Sequence, residues 1–385
     1  MPKEIATLDL FAGAGGLSQG LRSASSRFHA HTAVEFDRAA AATYAHNFPE
    51  ADVHPMPIEA WLDLGRVPQV DVVVGGPPCQ GFSALGKQDV HDERNRLWIH
   101  YALAVRESEA KYFVIENVPQ FRRSPQFDLF RREIAEGTLR DYDFDVKDLN
   151  AADYGAPQAR KRTIVLGHRK DVRPLEFPDA THAGNPMTVA EAFAGVPPKT
   201  RGVDLPERWS HFDGNPVRGP FTLDELHLTR NYTELSLKRF AHIGPGQNRF
   251  AIPHELLSPC WRRHTSGSGD VMGRLHLDKP SVTIRTEFFK PEKGRYLHPS
   301  AHRAITHLEA GVLQGFPRDS MWFGSKLDIA RQIGNAVPIP LGAAIGRSLL
   351  AAIDGAAVEH SFDVIDHIDG VGVLPEPKNA PATVR

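Results

Sequence analysis

Cys79 sits in Gly75-Gly76-Pro77-Pro78-Cys79-Gln80-Gly81-Phe82-Ser83, directly after the expected strand Val70 to Val74. Two prolines stiffen the approach to the thiol, and the glycines keep side chains away from whatever meets it. A lone cysteine is more often a small buried hydrophobe than a reagent. The rigid turn at a strand end tips this one toward nucleophilic attack by its thiolate. Glu116, in Glu116-Asn117-Val118-Pro119, closes another expected strand, Lys111 to Ile115. On its own it reads as a surface carboxylate or a helix cap. At a strand end it would point to the same edge as Cys79. Gln158, Arg160 and Arg162 alternate along Gln158-Ala159-Arg160-Lys161-Arg162. On an extended segment alternation puts them on one face, able to orient a carboxylate and grip phosphate or base, although singly each is only a charged strand start.

A fourth constellation suits a ligand. Asp9-Leu10-Phe11-Ala12-Gly13-Ala14-Gly15-Gly16-Leu17 runs from a strand through a glycine-rich turn into a helix, and Glu35 ends the next strand. Glycines let backbone approach a bound molecule, and a carboxylate there takes both hydroxyls of a ribose. Ser18 occupies the place where the dinucleotide fingerprint wants glycine, which disfavours a pyrophosphate. S-adenosylmethionine, with a ribose and no phosphate, fits better.

The elements that would carry these residues form a parallel α/β pattern. Strands are expected in ATLDLF, HTAVEF, VDVVVGG and YFVIENV, with helices from about Ser18, from Ala39 to Phe48, and from about Asn95. DFDVKDLNA and RKRTIVLGH read as an antiparallel pair completing the sheet. Val70 to Val74, apolar except for Asp71, reads as a central strand covered on both faces. From about His168 the texture becomes rich in Pro, Gly and His, and helical sequence resumes near Arg303. The expected division is a catalytic and cofactor-binding domain at 1–168, a target-recognition domain at 169–300, C-terminal helices at 301–353 returning to the first domain, and a tail at 354–385.

At 385 residues the chain has length for two domains. It is 41% hydrophobic and 24% charged, with a mean hydropathy of -0.34, and no apolar run reaches the length a bilayer requires. The N-terminus lacks a secretory pattern, so a cytoplasmic enzyme with no membrane association is expected. Two cysteines are too few for a disulfide framework or a thiolate metal site, and no metal is expected. The net charge is -2, yet residues 201–300 carry 15 Lys and Arg against 11 Asp and Glu. That excess marks a modestly electropositive stretch, little beyond an ordinary solvated surface.

Taken together and in this order, the four constellations resemble the DNA cytosine-5 methyltransferase family, from about residue 5 to 170 and again from 274 to 346. DLFAGAGGLS is similar to its cofactor loop, GGPPCQGFS to its nucleophile loop, ENV to its glutamate motif and QARKR to its arginine motif. Later, RLHLDKPSVTI looks like the segment that organises the small domain, and RQIGNAVP like the final motif, which completes the cofactor pocket. The resemblance implies a Rossmann-like S-adenosylmethionine-dependent methyltransferase sheet with a smaller irregular target-recognition domain, of the bacterial type that accompanies restriction systems. Carried over by position, Cys79, Glu116, Arg160 and Arg162 are catalytic. Phe11, Ala12, Gly13, Gly15, Gly16, Leu17, Glu35, Phe36, Ile58, Pro78, Leu97, Asn335 and Val337 bind the cofactor, with Phe11 against the adenine and Glu35 on the ribose. Gln80, Ser83 and Gln158 meet DNA. Pro57 stands where the family carries an aspartate on the adenine amino group, and Leu308 where arginine is commoner.

The implied reaction is thiolate addition to carbon 6 of cytosine, which makes carbon 5 nucleophilic toward the methyl donor. S-adenosyl-L-homocysteine leaves. Glu116 as a neutral acid assists at ring N3, and Arg162, with Arg160, orients it. A paired base cannot meet this geometry, so the target must leave the stack, with Gly81 to Arg96 as a lid closing over it. HIGPGQNR and WRRHTSGSGD are the candidates for sequence readout. The expected partners are double-stranded DNA and a separately acting restriction endonuclease, with the enzyme itself a monomer. An RNA cytosine-5 methyltransferase is the nearest rival, disfavoured because its Cys-Phe-Thr segment is missing. A thiol acyltransferase would need a histidine base beside Cys79, and a binding protein on this fold would have no need of Cys79, Glu116 and Arg162 together.

Overall fold

The computed structural model describes residues 3–78, 97–263 and 266–355. Its centre is a seven-stranded sheet in the order β3-β2-β1-β4-β5-β8-β6. The strands are β1 (Ile5–Leu10), β2 (Phe28–Val34), β3 (Asp52–His54), β4 (Val72–Gly75), β5 (Tyr112–Asn117), β6 (Tyr142–Asn150) and β8 (Lys161–Arg169), with the short β7 (Gln158–Ala159) outside the sheet. The first five are mutually parallel. β8 runs antiparallel between β5 and β6, the pair expected from the sequence. The expected strands are all present; β3 was not foreseen, being an edge strand of three residues.

Period-two alternation divides each central strand between two cores. Val73, Phe113, Ile115 and Val165 face one side with Trp98, Tyr101 and Phe130. Val72, Val74, Tyr112, Val114 and Leu166 face the other, with Leu17 and Leu21. Helices cover both faces, as a parallel sheet requires. α3 (Ile58–Leu62), α4 (Leu97–Glu107) and α5 (Pro125–Glu136) lie on the first. α1 (Gly16–Ala24) and the last helix, α11 (Ile339–Asp354), lie on the second. α2 (Arg38–Asn47) packs Tyr44 against Ala30 and Ala33 of β2. α1 and α11 touch closely, because a Cβ on Gly20 would lie 2.6 Å from Gly342 Cα.

Between β8 and α11 the chain is irregular. It contains α6 (Val189–Ala192), β9 (Trp209–Phe212), β10 (Asn215–Arg218), β11 (Phe221–Thr222), α7 (Glu234–Ala241), α8 (Pro259–Arg263), β12 (Ser281–Val282), α9 (His307–Gln314), β13 (Met321–Trp322) and α10 (Lys326–Asn335). Val189, Phe221, Leu275, Ile284, Phe288 and Tyr296 share a core with Leu308 and Leu313 of α9 and Ile329 and Ile333 of α10. With few ladders to satisfy backbone carbonyls, buried arginine does so instead. Arg274 donates to the carbonyls of Phe240, Ile243 and Ala301. Arg303 is held by Glu309, Nη1 to Oε2 at 2.7 Å and Nη2 to Oε1 at 2.6 Å. Among the described residues no single helix is long and apolar enough to cross a membrane.

Candidate active site

Strand register brings the motifs to one edge. Leu10, ending β1, pairs with Gly75, ending β4, and Gly75 pairs with Ile115 of β5. β8 begins where those strands end, so Glu116 and Asn117 lie opposite Ile164 and Thr163. Arg162 therefore starts at the same edge, and its Nε lies 2.7 Å from Glu116 Oε1. The approach is off the line of a hydrogen bond, which leaves that oxygen without a hydrogen-bond partner. The pair is largely shielded, with side-chain exposures of 14% and 12%.

The turn leading to Cys79 is fixed to the same place. A Cβ on Gly76 would lie 3.1 Å from Glu116 Oε2, so the carboxylate lies against the backbone of the turn. Asn117 donates from Nδ2 to Pro77 O at 3.0 Å, and its Oδ1 accepts from Val118 N at 2.8 Å. The amide of the glutamate motif thus ties the cysteine turn to β5, a role the sequence reading left unassigned. Pro78 is half-buried at the end of the described turn. Cys79, Gln80, Ser83 and the lid expected at Gly81 to Arg96 lie outside the described residues.

Beside this edge lies the glycine turn. Phe11, Gly13 and Gly15 have φ of 57°, 55° and 82°, left-handed values that glycine adopts without penalty. Gly15 has a second reason to be glycine, since a Cβ would lie 2.5 Å from Phe48 Cε2. Glu35 closes the turn. Its Oε2 accepts from Gly13 N and its Oε1 from Asp37 N, each at 2.8 Å. Burial pushes this carboxyl above its ordinary range, against the lowering effect of those N–H bonds. Below the turn, Ser18 Oγ donates to Asp9 Oδ2 at 2.6 Å and lies 2.8 Å from Tyr44 Oη. Burial raises Asp9 to about 7, opposed by the Ser18 bond and reinforced by the charge of Glu35.

These features fit a ribose-bearing ligand. A carboxylate has about four lone-pair sites, so Glu35 retains acceptors beyond its two N–H bonds. Space is open where a Cβ on Gly13 would stand. Phe36, the next side chain, is 71% exposed. Ser18 points inward to Asp9, away from any phosphate. Asn335 is exposed at the end of α10, and Val337 follows against the turn, since a Cβ on Gly16 would lie 2.8 Å from Val337 O. Other expected cofactor residues face the cores: Ala12 beside Tyr44, Leu17 on the inner face of α1, and Ile58 in the cluster that half-buried Phe11 and Leu97 pack against.

Gln158 and Arg160 are buried, whereas Arg162 reaches Glu116 at the sheet edge. Gln158 is fully buried and bonded to Leu313, Gln314 and Ile284, so it has no surface to offer DNA. The expected contact is corrected on that ground. Arg160 is also buried, its Nη1 donating to Ile284 O at 2.8 Å and Gly334 O at 3.1 Å. The reason is the break between β7 and β8: β7 pairs with β12, turning both side chains inward before β8 joins the sheet.

The model of the C-5 cytosine-specific DNA methylase family matches residues 5–351. The chain belongs to that family. Among its relatives, the type II methyltransferase M1.HphI of Haemophilus parahaemolyticus is 34% identical over 354 residues, 89% of this chain and 86% of that one. The type II methyltransferase M.XorII of Xanthomonas oryzae pv. oryzae is 33% identical over 90% of this chain and 84% of its own. A solved putative DNA modification methyltransferase encoded within an E. coli prophage matches with a TM-score of 0.66 and 25% identity, covering 91% of this chain and all of that one. In this methylase the α/β sheet is joined to a smaller irregular region.

Proposed function

We propose that this methylase transfers a methyl group from S-adenosylmethionine to carbon 5 of a cytosine flipped out of a specific duplex DNA sequence, through a covalent bond from Cys79 to carbon 6. The observation that carries the reading is the Glu116 carboxylate held between Arg162 and the Gly76 backbone of the cysteine turn. A pyrimidine entering there would have a thiol from one side and an acid from the other.

Attack needs the thiolate, and a free cysteine ionises near about 8.5. The Cys79 thiol gives its proton to solvent as Sγ bonds to carbon 6, and the displaced electron pair of the carbon 5 to carbon 6 double bond makes carbon 5 nucleophilic. Glu116 donates a hydrogen bond or proton to N3 and spares the ring a full negative charge. Arg162 keeps Glu116 in register, so the acid does not reorganise during the step. Glu35 takes the ribose hydroxyls, with Phe11, Phe36 and Val337 closing around the donor and Asn335 at its rim. Bound S-adenosylmethionine supplies an electrophilic methyl group for carbon 5 and leaves as S-adenosylhomocysteine. A base then takes the carbon 5 proton, its electron pair re-forms the carbon 5 to carbon 6 double bond, the bond from Sγ to carbon 6 breaks with its pair left on sulfur, and a proton given to N3 returns to Glu116.

Residues 1–168 would form the catalytic unit, 169–300 the target reader and 301–353 the helices completing the pocket, with 354–385 a tail. Gln80 and Ser83, flanking the nucleophile, would meet the DNA. The enzyme would act as a cytoplasmic monomer beside a cognate endonuclease. The test is transfer of labelled methyl from S-adenosylmethionine to duplex DNA: it is expected with the native protein and lost in Cys79→Ala, and robust transfer by that variant would end the mechanism.

A further inference from the structure

Two buried side chains that the chemistry above does not use, Arg160 and Gln314, donate to one stretch of backbone, and a third, Gln158, holds Gln314 in place. Gln158 Nε2 donates to Leu313 O at 3.2 Å and to Gln314 Oε1 at 2.8 Å, and its Oε1 accepts from Ile284 N at 2.7 Å. Gln314, itself fully buried, donates onward to the carbonyls of Ile333 and Ala336. Arg160 donates to Gly334 O and Ile284 O. The carbonyls of Ile333, Gly334 and Ala336 belong to the last turn of α10 and its cap, where a helix leaves acceptors unpaired and its dipole favours a cation. Directly beyond them the Ala336 Cβ and the Val337 backbone lie on Gly16 at the glycine turn. On the opposite side the fit is tight as well, since a Cβ on Gly334 would lie 2.5 Å from Thr286 N.

We propose that Gln158, Arg160 and Gln314 are positioning residues for the methyl-donor pocket: they clamp Ile333 to Val337 against the glycine turn and hold its last wall in place. The QARKR motif then serves both substrates. Arg162 faces the base site through Glu116, while Gln158 and Arg160 build the donor site from behind. The clamp rests on the S-adenosylmethionine reading of that pocket.

Equilibrium binding of S-adenosylhomocysteine to the purified full-length protein tests it, alongside KM for duplex DNA and thermal melting. Arg160→Ala and Gln314→Met are expected to weaken S-adenosylhomocysteine by about tenfold or more, the effect of losing one charged or buried hydrogen bond. KM for DNA at saturating S-adenosylmethionine should stay within about twofold, the split expected when donor binding alone is lost. Arg160→Lys, which keeps a cation able to donate, should recover part of the affinity. Arg162→Ala should bind S-adenosylhomocysteine like the native protein. The clamp is overturned if Arg160→Ala retains native affinity while KM for DNA rises, which would put Arg160 at the base. Should Arg160→Ala fail to fold, native affinity in both Arg160→Lys and Gln314→Met overturns it equally. A native protein that binds no S-adenosylhomocysteine refutes the donor reading itself.

Discussion

Replacing Glu35 with Gln removes one charge and half of the acceptor capacity at the turn that would hold the donor. In the native arrangement each oxygen accepts one backbone N–H, from Gly13 and from Asp37, both at 2.8 Å. A glutamine keeps one oxygen. Its NH2 group must face the other N–H, leaving a donor unpaired in a site where Glu35 is only 8% exposed. Such a loss costs about 1–3 kcal/mol of stability, while binding loses the charged acceptor of the ribose hydroxyls, a hydrogen bond worth about 1.5–3 kcal/mol. At about 1.4 kcal/mol per tenfold, affinity for S-adenosylhomocysteine should fall roughly 10- to 100-fold, measured by titration calorimetry. Burial raises the Glu35 carboxyl, so the charged form is the disfavoured one in the fold. Native stability should therefore decline as pH rises through the shifted range, and Glu35→Gln should not share that decline. A variant that binds S-adenosylhomocysteine within twofold of native would refute the reasoning, leaving Glu35 as a brace for the turn and nothing more.

Glu116→Gln and Arg162→Ala should each lower kcat by about 10²- to 10⁴-fold, the range for a lost general acid, with S-adenosylhomocysteine binding unchanged; single-turnover methylation separates the two effects. Glu309→Gln should destabilise the fold by about 3–5 kcal/mol, because Arg303 is left buried without its partner. Burial opposes the Glu309 charge, yet the bonds and charge of Arg303 hold its carboxyl below the usual range; its contribution is therefore present above the ordinary carboxylate range and lost as pH falls, which urea titrations at two pH values would show. Gly167→Ala places a Cβ 2.0 Å from Phe113 Cζ, and overpacking of this kind costs about 1–3 kcal/mol, visible as a lower urea midpoint. Asp9, raised to about 7 by burial, favours its protonated form, so native stability should fall between the ordinary carboxylate range and neutrality; Asp9→Asn should flatten that slope in thermal melts at pH 5 and pH 8.

The sheet was legible because its central strands are largely apolar on both faces and are followed by turn-forming sequence, a pattern that survives any detail of packing. Legible in the same way was the convergence of Glu116 and Arg162, since one ends a strand and the other starts an antiparallel neighbour. The burial of Gln158 and Arg160 was not legible, because alternation assumes an unbroken strand and the pairing of β7 with β12 interrupts it. Tyr44 carried no signal, being an aromatic in an alanine-rich helix whose hydroxyl meets Ser18 only through tertiary packing. The N-terminus of α5 did have a signal, Ser124 capping with Pro125 behind it, outside the elements assigned from the sequence. The irregular region gave little because its order comes from Arg274, Arg295 and Arg303 bonded across long sequence separations, and such bonds have no period.

Duplex DNA carrying 5-fluorocytosine at the methylated position tests the central claim most directly. Methyl transfer would proceed, but fluorine cannot leave carbon 5 as a proton does, so the bond from carbon 6 to sulfur has no route to break. Incubated with S-adenosylmethionine, digested and analysed by mass spectrometry, the protein should yield a methylated, fluorinated nucleotide covalently attached to the peptide containing Cys79. An enzyme that methylates ordinary DNA of the same sequence yet leaves no adduct on Cys79 would contradict the account.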